Sequence, residues 1–211
     1  MIGKIRDIVK SILEEEKESK KIVILDPSML GEVEAEELRI IGLFCDVAED
    51  KVAELVHALL ILNETNTGIE EKKRQPIEFY ISTYGGNADD MFALYDIMRQ
   101  VRTQTPLHTI GMGKVMSAGV LLLAAGTKGK RRIGENCRVM IHSVIAGNHG
   151  AIHSLLNEME AVERLQKMYI DCLVAETTMT KKDVKNLLER KVNVYLSAEE
   201  AVEYGIADII V

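Results

Sequence analysis

The sequence predicts an α/β fold with crossover connections. Apolar runs of strand length alternate with helical patterns along the chain, the order that crossover connections between strands produce. One strand-like run, Ile77 to Ile81, passes through Gly85-Gly86 straight into a helical pattern from Ala88 to Arg102. There is no internal repeat and no low-complexity segment.

In chain order, Ile2, Ile5, Ile8, Val9, Ile12 and Leu13 share one helical face ahead of the charged run Glu14 to Glu18. An amphipathic helix is therefore expected over residues 1–20, docked on a partner, a neighbouring subunit or its own domain. Residues 21–211 are expected to form a single domain. Ile22 to Leu25 and Leu38 to Phe44 read as strands, and Glu49 to Leu62 as a helix with Val52, Leu55, Val56, Leu59 and Leu60 in phase. Asn63 to Gln75 is a polar loop. After the Ala88–Arg102 helix come a strand over Leu107 to Met112, an apolar helix after Ser117, and a strand ending at His142. From Ala151 to Glu176, Ile152, Leu155, Leu156, Met159, Val162, Leu165, Met168 and Leu173 recur at three and four residues. That helix would be ~38 Å long at 1.5 Å per residue, too long to stay packed on a domain of this size. Thr180 with Asp183 opens another helix, Ser197 with Glu200 makes a capping box, and Ala207 to Val211 closes as a strand.

Composition narrows the function. A net charge of −7 and the absence of Trp disfavour a nucleic-acid partner. No apolar run approaches the ~20 residues that span a bilayer, and Lys4, Arg6 and Asp7 interrupt any signal-peptide core. Cys45, Cys137 and Cys172 have neither metal-ligand nor disulfide spacing, so buried thiols in the cytoplasm are expected, and no metal.

Two residues stand out chemically. Ser117 lies between an apolar strand and an apolar helix, with small neighbours Ala118 and Gly119. A serine there is either a helix cap or a nucleophile beside unpaired backbone N–H groups. His142 ends a strand and faces a glycine-bearing loop, as a structural histidine or a proton shuttle. Gly86, in its strand–turn–helix, makes either a tight turn or an N–H donor aimed at a substrate carbonyl. Neither a P-loop lysine nor a GxGxxG motif is present.

Four segments in order resemble the Clp protease family, specifically its proteolytic subunit ClpP: FYISTYGG (79–86), GMGKVMSAGVLLLAAGTKGKR (111–131), RVMIHS (138–143) and YLSAEEAVEYGIAD (195–208). The resemblance runs from about Leu38 to the C-terminus. It implies a ClpP/crotonase-like fold of repeated β-β-α units with a protruding handle helix, here about 146–176. It implies Ser117 as nucleophile, His142 as base, and the N–H groups of Gly86 and Ala118 as the oxyanion hole. Asn87 and Asp89 on one side, with Ile145 and Gly147 on the other, would flank an extended peptide. It further implies homo-oligomeric heptameric rings, single or stacked in pairs, and polypeptide substrates. An AAA+ unfoldase partner would spend the ATP, so this chain needs no cofactor of its own.

Four departures accompany it. Asn193 stands where the family has its third catalytic residue, an aspartate. An asparagine carbonyl can orient the histidine but cannot stabilise imidazolium by charge. Lys191 and Val192 replace charged residues that couple rings in many members. Ser143-Val144 stands where Gln-Pro is usual, and Asp89-Asp90 adds carboxylates that would disfavour acidic peptides or cap a helix. Residues 1–37 do not resemble the family's N-terminal segment. The leading expectation is a Clp-type serine endopeptidase; the alternative is a weakly active or inactive structural or regulatory ring subunit. A third reading, an acyl-CoA enzyme on the crotonase-like scaffold, is opposed by the Ser117 and His142 segments.

Overall fold

Each parallel strand pair expected from the sequence needs a crossover, and helices supply it. The computed structural model describes residues 38–188 and 193–211. The helix expected over 1–20, the strand at Ile22 to Leu25, and Lys191 with Val192 lie outside the described residues. The order is β1 (Ile40–Leu43), α1 (Glu49–Glu64), β2 (Ile77–Thr83), α2 (Ala88–Arg102), β3 (Leu107–Met116), α3 (Ala118–Ala124), β4 (Arg132–Ile133) and β5 (Arg138–Ile141). Then follow α4 (Ile152–Glu176), α5 (Lys181–Leu188), β6 (Val194–Leu196), α6 (Ala198–Glu203) and β7 (Ile209–Ile210). Among the described residues, β4-β5-α4 is a β-β-α unit, while the earlier strands alternate singly with helices.

The strands form one sheet ordered β1-β2-β3-β4-β7, parallel throughout, with β5 and β6 branching from β3. The branch comes from a kink. Ile81 pairs with Gly111, but Thr83 pairs with Val115, so β3 carries two extra residues. Gly113 takes φ 67° there, a conformation that costs a glycine little. Upstream of it β3 pairs with β4, and downstream Lys114 to Met116 pair with β5. The sequence reading ends this strand at Met112; the bulge hides its continuation by breaking the two-residue alternation. The continuation delivers Ser117 to the end of β3.

Helix α3 is apolar all round because it is buried all round. It packs on β3, α2 and α4, and a Cβ at Gly119 would lie 2.6 Å from Thr83 Cγ2. Each fully buried Val or Leu in it contributes about 1.5–3 kcal/mol. Its C-terminal carbonyls are met by two arginines. Arg102 Nη1 donates to Ala125 O at 2.8 Å and to Gly126 O at 3.1 Å. Arg131 Nη1 donates to Ala124 O at 3.2 Å and to Glu176 O at 2.7 Å. Both cations also complement the negative end of the helix dipole.

Those arginines have carboxylate partners. Arg102 grips Glu176 through two bonds of 2.8 and 2.9 Å, and Tyr95 Oη donates to the same carboxylate at 3.0 Å. Burial opposes ionisation of Glu176, but the hydrogen bonds and charge of Arg102 outweigh it and hold the carboxyl below its ordinary value. Asp208, partly buried against Arg131, is depressed for the same reasons. Burial, reinforced by the Glu176 charge, pushes the Tyr95 hydroxyl up.

The long helix divides in two. Tyr169, Ile170, Leu173 and Glu176 are buried, whereas Ile152, Leu156, Met159 and Met168 are exposed. Its N-terminal turns therefore stand off the core, as its length predicts. The capping box forms: Ser197 Oγ accepts from Glu200 N at 3.2 Å, and Ser197 N donates to Glu200 Oε2 at 2.8 Å. The thiols depart from expectation, because only Cys137 is buried while Cys172 is half-buried and Cys45 exposed. Cys45 lies in the connection between β1 and α1, beside the exposed Phe44, where among the described residues its side chain stays open. Among the described residues no helix is long and apolar enough to cross a membrane.

Candidate active site

Ser117 is the N-cap of α3, yet its side chain makes no capping hydrogen bond. Its backbone sits at φ 53° and ψ −120°, and it is the one non-glycine residue with positive φ among the described residues. Such a conformation costs of order 1–3 kcal/mol and persists only where the surroundings over-determine it. They do so here. Ser117 N donates to Met140 O at 2.8 Å, and Tyr169 Oη donates to Ser117 O at 3.1 Å. Burial pushes that phenol up, so it stays a neutral donor. The strain turns the hydroxyl away from capping and leaves it free, beside the positive end of a helix dipole.

The diglycine turn approaches the same point. A Cβ on Gly85 would meet Ser117 Cβ at 2.6 Å, and one on Gly86 would lie 2.1 Å from Val47 O. Val47 forms a parallel bridge to Gly86: its N–H donates to Gly85 O at 2.7 Å and its carbonyl accepts from Asn87 N at 2.9 Å. A parallel bridge uses the neighbours' groups, so the Gly86 N–H faces the opposite side of the strand, where β3 lies. Among the described residues neither the Gly86 nor the Ala118 N–H has a hydrogen-bond partner. Two free amides beside a free hydroxyl are the elements of an oxyanion site.

A cleft of about 430 Å³ brings Gly86, Asn87, Ser117, Ala118, His142 and Ile145 together. All six are named by the sequence. Tyr84, Met91, Phe92 and Tyr169 line it as well, and sequence reasoning missed them. Met91 carries only the signal of a helix's core face, and Tyr169 that of the long helix; Tyr84 alone sits within a recognisable motif. Lys114 Nζ lies 4.6 Å from the Tyr84 ring centre, a cation–π contact at the cleft's edge.

Other predicted residues sit elsewhere. Gly147 lines a separate groove between its loop and α4. Asp89 lies in the first turn of α2 and does not line the cleft. The cap there is Asn87, whose Oδ1 accepts from Asp89 N at 2.8 Å and Asp90 N at 3.1 Å, so the carboxylates support the helix dipole and are not its cap. Asn193 is exposed and immediately precedes β6. The antiparallel ladder pairs Ile141 with Val194, so the next step along it sets His142 opposite Asn193. Among the described residues, however, no hydrogen bond joins His142 to Asn193 or to Ser117. His142 Nδ1 instead meets the Ser143 carbonyl at 2.5 Å. Among the described residues no cluster of His, Cys, Asp or Glu could hold a metal ion.

A strained serine, a histidine and two open amides share one cleft of a largely parallel α/β sheet, a set of groups able to support hydrolase chemistry. The family comparison agrees: the Clp protease family profile matches residues 33–211. The ATP-dependent Clp protease proteolytic subunit 2 of Corynebacterium jeikeium is 34% identical over 173 residues, 82% of this chain and 78% of the relative. The proteolytic subunit of Deinococcus radiodurans is 33% identical over 173 residues, covering 82% and 80%. Proteolytic subunit 1 of Prochlorococcus marinus is 30% identical over 203 residues, covering 96% and 95%. The chain belongs to the Clp protease family and is a homologue of its proteolytic subunits.

Proposed function

We propose that this chain is a serine endopeptidase subunit that cleaves unfolded polypeptides inside a ring assembly. The observation that carries the reading is Ser117: a strained, uncapped serine facing the same cleft as His142 and the free amides of Gly86 and Ala118. Ser117 Oγ attacks the scissile carbonyl while His142 takes its proton. The N–H groups of Gly86 and Ala118 receive the developing oxyanion. His142 then returns the proton to the leaving amine, and water resolves the acyl-enzyme by the reverse sequence. Met91, Phe92 and Ile145 give the cleft an apolar lining suited to an apolar side chain next to the scissile bond.

Rings of seven, single or paired, are the assembly we propose. The exposed Ile152, Leu156 and Met159 on the N-terminal half of α4 supply an apolar face for a facing subunit. An AAA+ unfoldase in the cytoplasm would feed substrate to the chamber at the expense of ATP; the relatives' printed name, ATP-dependent Clp protease, supports that division of labour. Reaction of the purified, assembled protein with a fluorophosphonate tests the chemistry. Labelling at Ser117 that disappears in Ser117→Ala is the expected result, and an unlabelled Ser117 in an intact ring refutes the reading.

The alternative, a ring subunit with little activity of its own, is favoured by one observation: Asn193 makes no bond to His142. Asn193→Asp separates the two. A rise in peptide hydrolysis by orders of magnitude supports the alternative, and a level response supports the working enzyme.

A further inference from the structure

The peptide unit joining Ser143 to Val144 is engaged on both sides. Its N–H donates to Gln166 Oε1 at 2.6 Å, and its carbonyl lies 2.5 Å from His142 Nδ1. The N–H and C=O of one planar trans peptide point in opposite directions, so an acceptor fixed on the N–H side aims the carbonyl. A carbonyl oxygen only accepts, and the imidazole nitrogen facing it must therefore carry the proton. The lone pair is left on Nε2, the nitrogen free to draw a proton from a hydroxyl.

The acceptor itself is anchored. Gln166 is half-buried where α4 enters the core, and Tyr169 and Ile170 are buried within the next turn. Gln166 and Tyr169 are three residues apart and so lie on one face of the helix. Tyr169 Oη holds the Ser117 carbonyl at 3.1 Å. A single turn of α4 thus grips the backbone of the serine and the peptide that faces the histidine.

We infer that Gln166 is a positioning residue for His142: through the Ser143–Val144 peptide it holds the imidazole as the Nδ1–H tautomer, the task expected of Asn193. The catalytic meaning of this rests on the peptidase reading, but the tautomer does not depend on whether Ser117 reacts.

The test uses the full-length protein with 15N in its histidine side chains. Long-range 1H–15N correlation at pH 8 reports which nitrogen of each neutral imidazole is protonated, and His142→Gln assigns the His142 signals. The wild type is expected to be Nδ1–H. Gln166→Leu, similar in size but without an acceptor, should lose that preference. It should also label at Ser117 about tenfold more slowly, a part of the ~10⁴ lost when a triad imidazole is held in the wrong tautomer. Gln166→Glu keeps an acceptor and should restore both readouts. Val144→Pro deletes the donor and should behave like Gln166→Leu, which guards against a leucine variant that fails to fold. An Nε2–H imidazole in the wild type overturns the inference, as does an unchanged tautomer in both Gln166→Leu and Val144→Pro. Loss of the Nδ1–H form in Asn193→Ala with Gln166→Leu unaffected overturns it too. If the tautomer responds as expected while the wild type never labels at Ser117, the positioning stands and the peptidase reading falls.

Discussion

Ser117 and His142 line one cleft, but the fold holds them there by different means. Ser117 begins a fully buried helix, with its N–H and carbonyl both bonded, a glycine packed against its Cβ, and two arginines closing the far end of the helix. His142 follows the last residue of a short strand and opens onto an exposed loop. One peptide faces its ring, and one glutamine side chain holds that peptide. Ser117 is thus placed by the core, and its placement is as robust as the fold. His142 is placed by local contacts that can change while the fold persists. Alterations to the packing and backbone contacts that hold Ser117 should therefore cost stability along with rate, whereas loss of its unbonded hydroxyl, or of the contacts around His142, should cost mainly rate.

The largest expected effect concerns the hydroxyl itself. Ser117→Ala removes no packing contact and should melt as the wild type does, while peptide hydrolysis falls by ~10⁶, the loss seen when a triad nucleophile is removed. Measurable turnover in that variant would place the chemistry elsewhere. Next comes the support beneath α3. Arg102→Met takes the two-bond partner from the buried Glu176 carboxylate, leaving it Tyr95 and, at 3.9 Å, the exposed Arg99. It also removes the Arg102 donor from Ala125 and Gly126, at a total cost of about 3 kcal/mol, the lower end for breaking a buried pair. Chemical denaturation measures it, and a shift under 1 kcal/mol would break the claim that the serine side rests on the core.

Gly86→Ala should affect both quantities. The added Cβ meets the Val47 backbone at 2.1 Å, so the strand must move and carry its N–H out of line. Hydrolysis should drop by about 10²–10³, the worth of one oxyanion donor, with a lower melting temperature. A rate loss without a stability loss would blur the contrast between the two sides. Acid should act more gradually. Glu176 and Asp208 have ordinary values of 4.5 and 3.8, and both are depressed in the folded state. Their contribution to stability is complete above those ordinary values and is lost as the pH falls through the lower folded ones. Melting temperature should hold level from pH 7 to about 5 and then decline, and Arg102→Met should flatten that decline. The smallest effect belongs to Asn193→Ala. Exposed and unbonded to His142, it should change neither stability nor hydrolysis by more than about twofold; a hundredfold loss of hydrolysis would return the orienting role to that side chain.

Local patterns alone located much of this protein. The Ala88–Arg102 helix, the long helix to Glu176, the Ser197–Glu200 capping box and the serine at a helix start all follow from periodicity and capping, which act over a few residues. So does the meeting of strand, diglycine and helix that carries Gly86. Only the tertiary structure decided that β3 kinks at Gly113 and changes neighbour, that Ser117 leaves its capping role, and that Arg102 reaches Glu176. It also decided that Gln166 bonds the peptide facing His142. These contacts join residues far apart in the chain, and no period or spacing encodes them. They exist because packing α4 and α3 onto the sheet buries polar groups that must each find a partner, and the partner is whichever side chain the closed fold brings within reach.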